Sequence, residues 1–369
     1  MAERLVAMVP CGRDGGMVRW MKTGSEACAA AVRVARAFTG RDVILTCGYH
    51  GYFAWYAATL EECPGVPLAY KGLVRPFAYN DLASLDTAIS WADDYVSWER
   101  TAAGSRAIAR SAPGVAAIFL EPTLVESPAP GFLEGVRARA TRIGAVLVFD
   151  ETVTGGRWAP AGGQEFFGVV PDLAVFGKAI GGGFPISALI GQRDIMQHAV
   201  LISGTFGGDC IGLAAADATL ARYQQGGVCE HMWRTGGALM DGYNALAEKH
   251  GAPTRAVGQA PHPVIRWEEY ICEHLSRGEP CLDRGNKRRC PRNRWTASLF
   301  FQETVKRGHL LGPDGGNIML AHSDADVDSL LTACDEAMAI TCAAIAAGTV
   351  REQIEGSPID PAPAWRVTQ

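Results

Sequence analysis

Lysine is scarce in this chain of 369 residues, which holds six among its 34 basic residues. Where arginine carries nearly all the positive charge, a lysine set among apolar residues and glycines asks for a chemical reason. Other shortages narrow the field. The eleven cysteines are odd in number, scattered, and form no C-x-x-C pair, so neither a disulfide framework nor a familiar zinc site is indicated. Cys272, Cys281 and Cys290 come closest to a cluster, at spacings that match no zinc motif, and read as a loop. No signal-peptide pattern opens the chain, and a reduced, cytoplasmic setting is the simplest account. No uninterrupted apolar run reaches the roughly 20 residues of a membrane span. The Ala-rich stretch 335–348 carries Glu336 and Thr341 and suits a packed helix. A net charge of −5 favours neither nucleic acid nor a membrane surface.

What is present has a clear period. Short apolar runs at 42–47, 114–122, 144–151, 172–178 and 187–191 alternate with helical patterns such as 25–40 and 131–144. Strands apolar on both faces and separated by helices of period 3.6 predict a parallel or mostly parallel sheet covered by helices, an α/β domain. After about residue 226 the pattern changes to a helix, a Pro-rich irregular stretch 253–263, a basic loop around Lys287, Arg288 and Arg289, a helix near 296–308 and a last helix from about 324. A large domain over 1–225 and a smaller α+β domain over 226–369 are expected.

Ligands of such sheets collect beyond the carboxyl ends of the strands. Glu121, Asp150 and Lys178 each stand at such an end. One polar strand end is ordinary; three on one rim suggest a site. Lys178 precedes Gly181, Gly182 and Gly183, and a partly desolvated lysine there would be a nucleophile toward carbonyls through a Schiff base. Thr23, Gly24 and Ser25 open a strong helix, whose free N–H groups suit a phosphate; an ordinary cap completed by Glu26 explains the same residues without a ligand. An apolar strand ending in Asp-Glu also fits a magnesium-binding ATPase, but G-x-x-x-x-G-K-[ST] is absent upstream. G-x-G-x-x-G is likewise missing after the first strand, against a nicotinamide dehydrogenase.

Six stretches come in one order: KTGSEACAAAVRVARAFTGR, CGYHGY, FLEPT, GAVLVFDETVTGGR, PDLAVFGKAIGGGFPISALIG and SGTFGGDCIGLAAADATL. In wording and spacing they resemble the class-III pyridoxal-phosphate (PLP) aminotransferases, most of all the glutamate-1-semialdehyde aminomutase branch. The resemblance is dense over residues 2–225 and returns weakly at 300–313. It implies fold type I and an enzyme that moves an amino group between a small-molecule donor and acceptor, or within one molecule. By the same resemblance Lys178 forms the Schiff base with the cofactor and carries the proton, and Asp150 pairs with the pyridine nitrogen. Gly24 and Ser25 make the phosphate cup, Tyr49 stacks on the ring, and Glu121 lies near the cofactor. Thr205 reaches the phosphate of the other subunit, which implies a homodimer with shared sites. His50 receives no catalytic role.

The chain departs from the family pattern in places. Thr152 stands where the family usually has the valine that packs on the second ring face. Gly156 replaces an aromatic before Arg157, and TLVESPAPG replaces a loop rich in Gly and Asn. The opening MAERLVAMVP reads like the family's helix just ahead of the phosphate cup, so a long N-terminal segment is missing by this comparison. A degenerate homologue that holds PLP or a partner chain without turnover is the alternative reading.

Overall fold

A computed structural model describes residues 1–60, 63–102, 114–267, 294–312 and 315–359. The basic loop and the three closely spaced cysteines, 272, 281 and 290, lie outside the described residues. The chain divides into two compact units, Met1–Leu124 with Pro128–Gly227, and Val125–Ser127 with Val228–Gln369.

The first unit is built on seven strands: β1 (Met17–Met21), β2 (Val43–Cys47), β3 (Val74–Pro76), β4 (Val115–Leu120), β5 (Val146–Asp150), β6 (Leu173–Phe176) and β7 (Ser187–Gly191). Their order across the sheet is β1-β7-β6-β5-β4-β2-β3. Strands β2 to β6 pair in parallel, and β7 is antiparallel to both its neighbours. The mostly parallel sheet expected from the apolar runs is therefore present. The sequence pattern had not indicated β1, whose Arg19 and Trp20 interrupt an apolar reading, or the three-residue edge strand β3.

Both faces of the sheet are covered, which is why β4 and β5 are buried at every position. Val146 and Val148 of β5 pack with Ala27, Ala31 and Val34 of the helix Gly24–Thr39 on one side. Leu147 and Phe149 point the other way, toward Val136 and Ala140 of the helix Phe132–Ile143 and Leu85 of the helix Leu82–Ala102. Burying each of these valine, leucine and phenylalanine side chains contributes about 1.5–3 kcal/mol. This packing fixes where the strands end, and with that the rim on which the polar residues stand.

In the second unit a hairpin of β8 (Thr254–Gln259) and β9 (His262–Trp267) replaces the irregular stretch expected at 253–263. Pro263 disguised it; a proline is tolerated because both strands of a two-stranded sheet are edges. Phe300, Phe301 and Trp267 pack there with Tyr243 of the helix Val228–His250 and with Cys334, Ala337 and Met338 of the helix Asp324–Ala347. Among the described helices only Asp324–Ala347 has the length and apolarity of a membrane span. One face of it is buried against this aromatic core.

Candidate active site

Strands β4, β5 and β6 are neighbours in the sheet, so the residues at their carboxyl ends share one rim. Asp150 closes β5, Glu121 follows β4, and Lys178 follows β6 after Gly177. The charge of Lys178 is close enough to bear on both carboxyl groups. Its backbone has φ of 43°, left-handed geometry that costs a lysine about 1–3 kcal/mol and is found mostly where function requires it. In the single chain Lys178 is exposed. The expectation of a desolvated lysine is therefore not met in the single chain.

Asp150 is buried and has four hydrogen-bonding contacts from the chain itself. His50 Nδ1 lies 2.9 Å from Oδ2 and Cys28 Sγ 3.3 Å from the same oxygen. On Oδ1, the Thr152 amide donates at 3.1 Å and the Thr152 hydroxyl donates closely as well. Burial alone would raise the carboxyl pKa. The His50 hydrogen bond and charge, the Thr152 hydroxyl and Lys178 outweigh it and hold Asp150 below the ordinary value. The carboxylate is thus kept as an anion in a dry place.

Glu121 responds in the opposite sense. Burial, with Asp150 adding repulsion, raises its pKa to about 7 despite the pull of His50, the Tyr49 amide and Lys178. Two carboxyl groups with divergent protonation therefore face one lysine, a pattern that separates acid and base roles.

The turn 48–51 binds this cluster together. Gly48, at φ of 112°, has no side chain to strike Glu121, whose Oε1 would lie 2.8 Å from a Cβ there. The Tyr49 amide donates to Glu121 Oε1 at 2.8 Å. His50 follows on Asp150, and Gly51, at φ of 97°, leaves room for the Ser25 hydroxyl. Every residue of the turn thus meets a site residue. The ring of Tyr49 is half-buried and edge-on to Tyr56 at 5.6 Å between centroids. His50 is the residue that sequence reasoning passed over; it is enclosed by Trp55, Tyr56 and Phe119, and its Nε2 is buried without a partner among the described residues.

Helix Gly24–Thr39 brings its N-terminus to the same place. Thr23 caps it: its hydroxyl accepts from the Glu26 amide at 3.2 Å, and Glu26 Oε2 accepts from the Thr23 amide at 2.8 Å. The ordinary cap is therefore real and occupies Thr23 and Glu26. The amides at the start of the helix and the Ser25 hydroxyl remain as candidate anion donors. Thr152 closes the gap between the two halves of the site. Its methyl carbon would lie 2.8 Å from a Cβ on Gly24 and 3.0 Å from one on Gly177, so both glycines are required for it to fit.

Thr205 stands apart, exposed in the turn before the helix Cys210–Gln224. Lys22, one residue ahead of the cap, pairs with Asp209 and donates to the Pro185 carbonyl at 2.9 Å. The departure at Gly156 has a local cause: Tyr223 fills the space an aromatic would take, with its hydroxyl donating to the Gly156 carbonyl at 2.7 Å. Cys28, His50 and Asp150 converge closely enough for a metal ion. The same contacts are explained as hydrogen bonds to one carboxylate.

The family model for class-III aminotransferases matches residues 1–259. The chain is 33% identical over 360 residues to a glutamate-1-semialdehyde 2,1-aminomutase of Syntrophobacter fumaroxidans, covering 91% of this chain and 76% of that protein. A protein of the same description from Pelotomaculum thermopropionicum is 32% identical over 352 residues, covering 89% and 73%. Among solved structures, the FumI protein of Sphingopyxis sp. MTA144 in its PLP internal aldimine form matches with a TM-score of 0.74 at 27% identity, covering 94% of this chain and 75% of that one. An omega-transaminase from Sphaerobacter thermophilus matches with a TM-score of 0.72 at 22% identity, over 92% and 77%; it supports the fold alone.

Proposed function

Because the chain belongs to the class-III aminotransferases, PLP-dependent enzymes of fold type I that move amino groups, we propose that Lys178 and Asp150 carry that chemistry here. The observation behind this reading is the rim itself. An exposed lysine amine, a carboxylate held ionised, and an open helix N-terminus meet around adjacent strand ends.

The side chains fit the cofactor. A pyridine N–H needs a dry anion, which Asp150 supplies; a phosphate needs convergent N–H and O–H donors, which Gly24 and Ser25 supply; an aldehyde needs an accessible amine, which Lys178 supplies. When bound, PLP acts as the electron sink for cleavage of a bond at the amino-bearing carbon. The chain does the rest. Lys178 Nζ anchors the cofactor and then moves the proton at the amino-bearing carbon of the substrate, a role worth about 10²- to 10⁴-fold in rate. With the cofactor bound, Asp150 would keep its ring nitrogen protonated, and Tyr49 and Thr152 would pack against its ring. Glu121, largely protonated below about pH 7, offers a proton donor near the reacting centre.

The large domain that carries this site corresponds to residues 1–225, and 226–369 form the smaller domain. A homodimer completes the site in this reading, with Thr205 of each chain reaching the phosphate held by the other. Exposed Phe184, Leu201, Phe206 and Ile211 support an apolar contact on the segment around Thr205. The cytoplasm is the proposed location.

The names of the relatives favour isomerisation of glutamate-1-semialdehyde over transfer between two molecules. Incubation of the PLP-loaded protein with that compound alone separates the two. Appearance of the isomeric amino acid without an added 2-oxo acid supports the aminomutase. Conversion only when an amino donor and a 2-oxo acid are both present contradicts it in favour of transamination.

A further inference from the structure

A carboxylate has about four acceptor positions, and in this chain all four on Asp150 are in use: His50 and Cys28 on Oδ2, the Thr152 amide and hydroxyl on Oδ1. A ring N–H arriving at Asp150 must therefore displace one of them. Burial says which. His50 and Cys28 are each 1% exposed and close the inner side of the carboxylate. Thr152 is part-exposed and covers the outer side. The amide of Thr152 is fixed by the backbone, whereas its hydroxyl is free to rotate its hydrogen.

We propose that the Thr152 hydroxyl is a built-in competitor for Asp150: it occupies the acceptor position a pyridine N–H would take, and cofactor binding requires it to give way. Its methyl is wedged between Gly24 and Gly177, so the hydroxyl oxygen leaves Oδ1 only if the side chain turns as a whole, and that movement is part of what cofactor binding must overcome. Threonine at this position gives the chain a weaker grip on cofactor than valine would. The inference rests on the reading that Asp150 pairs with the ring nitrogen.

Equilibrium titration of the cofactor-free protein with PLP, followed by quenching of tryptophan fluorescence, tests it without reference to turnover. Thr152→Val removes the hydroxyl at nearly constant shape. It is expected to bind PLP about 2- to 10-fold more tightly, the worth of one hydrogen bond no longer displaced. Thr152→Ser keeps the hydroxyl and is expected to match the native chain within about twofold. Valine also adds a methyl that can pack on the ring, so the comparison of Thr152→Ala with Thr152→Ser, neither of which adds one, isolates the competition: tighter binding by alanine than by serine is expected. The same comparison stands should valine prevent folding. Equal or weaker binding by the variants without the hydroxyl overturns the proposal. Asp150→Ala in the same titration separates the two ideas. If it abolishes binding while Thr152→Val does not tighten it, only the competition fails; if it leaves binding unchanged, the pairing of Asp150 with the ring fails first.

Discussion

Asp150 and Glu151 are neighbours in sequence, buried alike, and opposite in behaviour. Asp150 faces His50, the Thr152 hydroxyl and Lys178, and its pKa lies below the ordinary value. Glu151 turns into the loop beyond the strand, where it accepts from the Gly163 amide at 2.7 Å, the Gln164 amide at 2.9 Å and the Thr154 hydroxyl. Burial dominates there, and these neutral donors leave its pKa raised, at about 7. The difference teaches that burial does not decide the charge of a carboxyl group; the partners do. One residue of the pair is set up to hold a cation, the other to hold a loop.

The sharpest test of this contrast is to remove each in turn. Asp150→Ala is expected to weaken PLP binding by about 10²- to 10⁴-fold, since breaking a buried ion pair costs roughly 3–5 kcal/mol. Glu151→Ala is expected to leave the binding surface in place but to lower stability by about 2–5 kcal/mol, because two buried amides lose their acceptor. PLP titration and urea unfolding of both variants check this, and an exchange of the two phenotypes breaks the comparison.

A smaller effect comes with His50→Phe, which removes a hydrogen bond to the ionised carboxylate. About tenfold weaker PLP binding is expected, with partial rescue by His50→Asn, whose amide can still donate. Binding unchanged in the phenylalanine variant would remove His50 from the account.

The pH dependence of stability sharpens the contrast further. Glu121 and Glu151 have folded pKa values of about 7 against an ordinary 4.5. Their contribution is full below the unfolded pKa and is lost as pH rises from about 4.5 to about 7. Asp150, depressed below its ordinary 3.8, contributes above that value and loses the contribution as pH falls through its folded pKa. The melting temperature of the cofactor-free protein is therefore expected to fall between pH 4.5 and 7, and the double variant Glu121→Gln, Glu151→Gln to flatten that limb. Asp150→Asn is expected to flatten only the acid limb.

Strand ends were the legible part of this molecule. Apolar runs that stop on Glu121, Asp150 and Lys178 announce a sheet and its rim because both faces of β4 to β6 are buried, and burial writes itself into composition. What surrounds Asp150 was not legible. His50 lies 100 residues away along the chain and Cys28 lies 122 away, contacts that only the folded sheet creates. Glycines carried a signal that was readable in hindsight: Gly48 and Gly51 flank Tyr49 and His50 because Glu121 and Ser25 press against that turn. The hairpin β8–β9 was hidden by Pro263, which reads as irregular in sequence and is harmless in a two-stranded sheet.

Reduction of the PLP-treated protein with borohydride, followed by peptide mapping, tests the central claim most directly. Two lysines stand near the helix N-terminus, Lys178 after β6 and Lys22 after β1, and Lys22 is already paired with Asp209. The account predicts a single labelled peptide, the one containing Lys178. Label on Lys22, or no label at all, would contradict it.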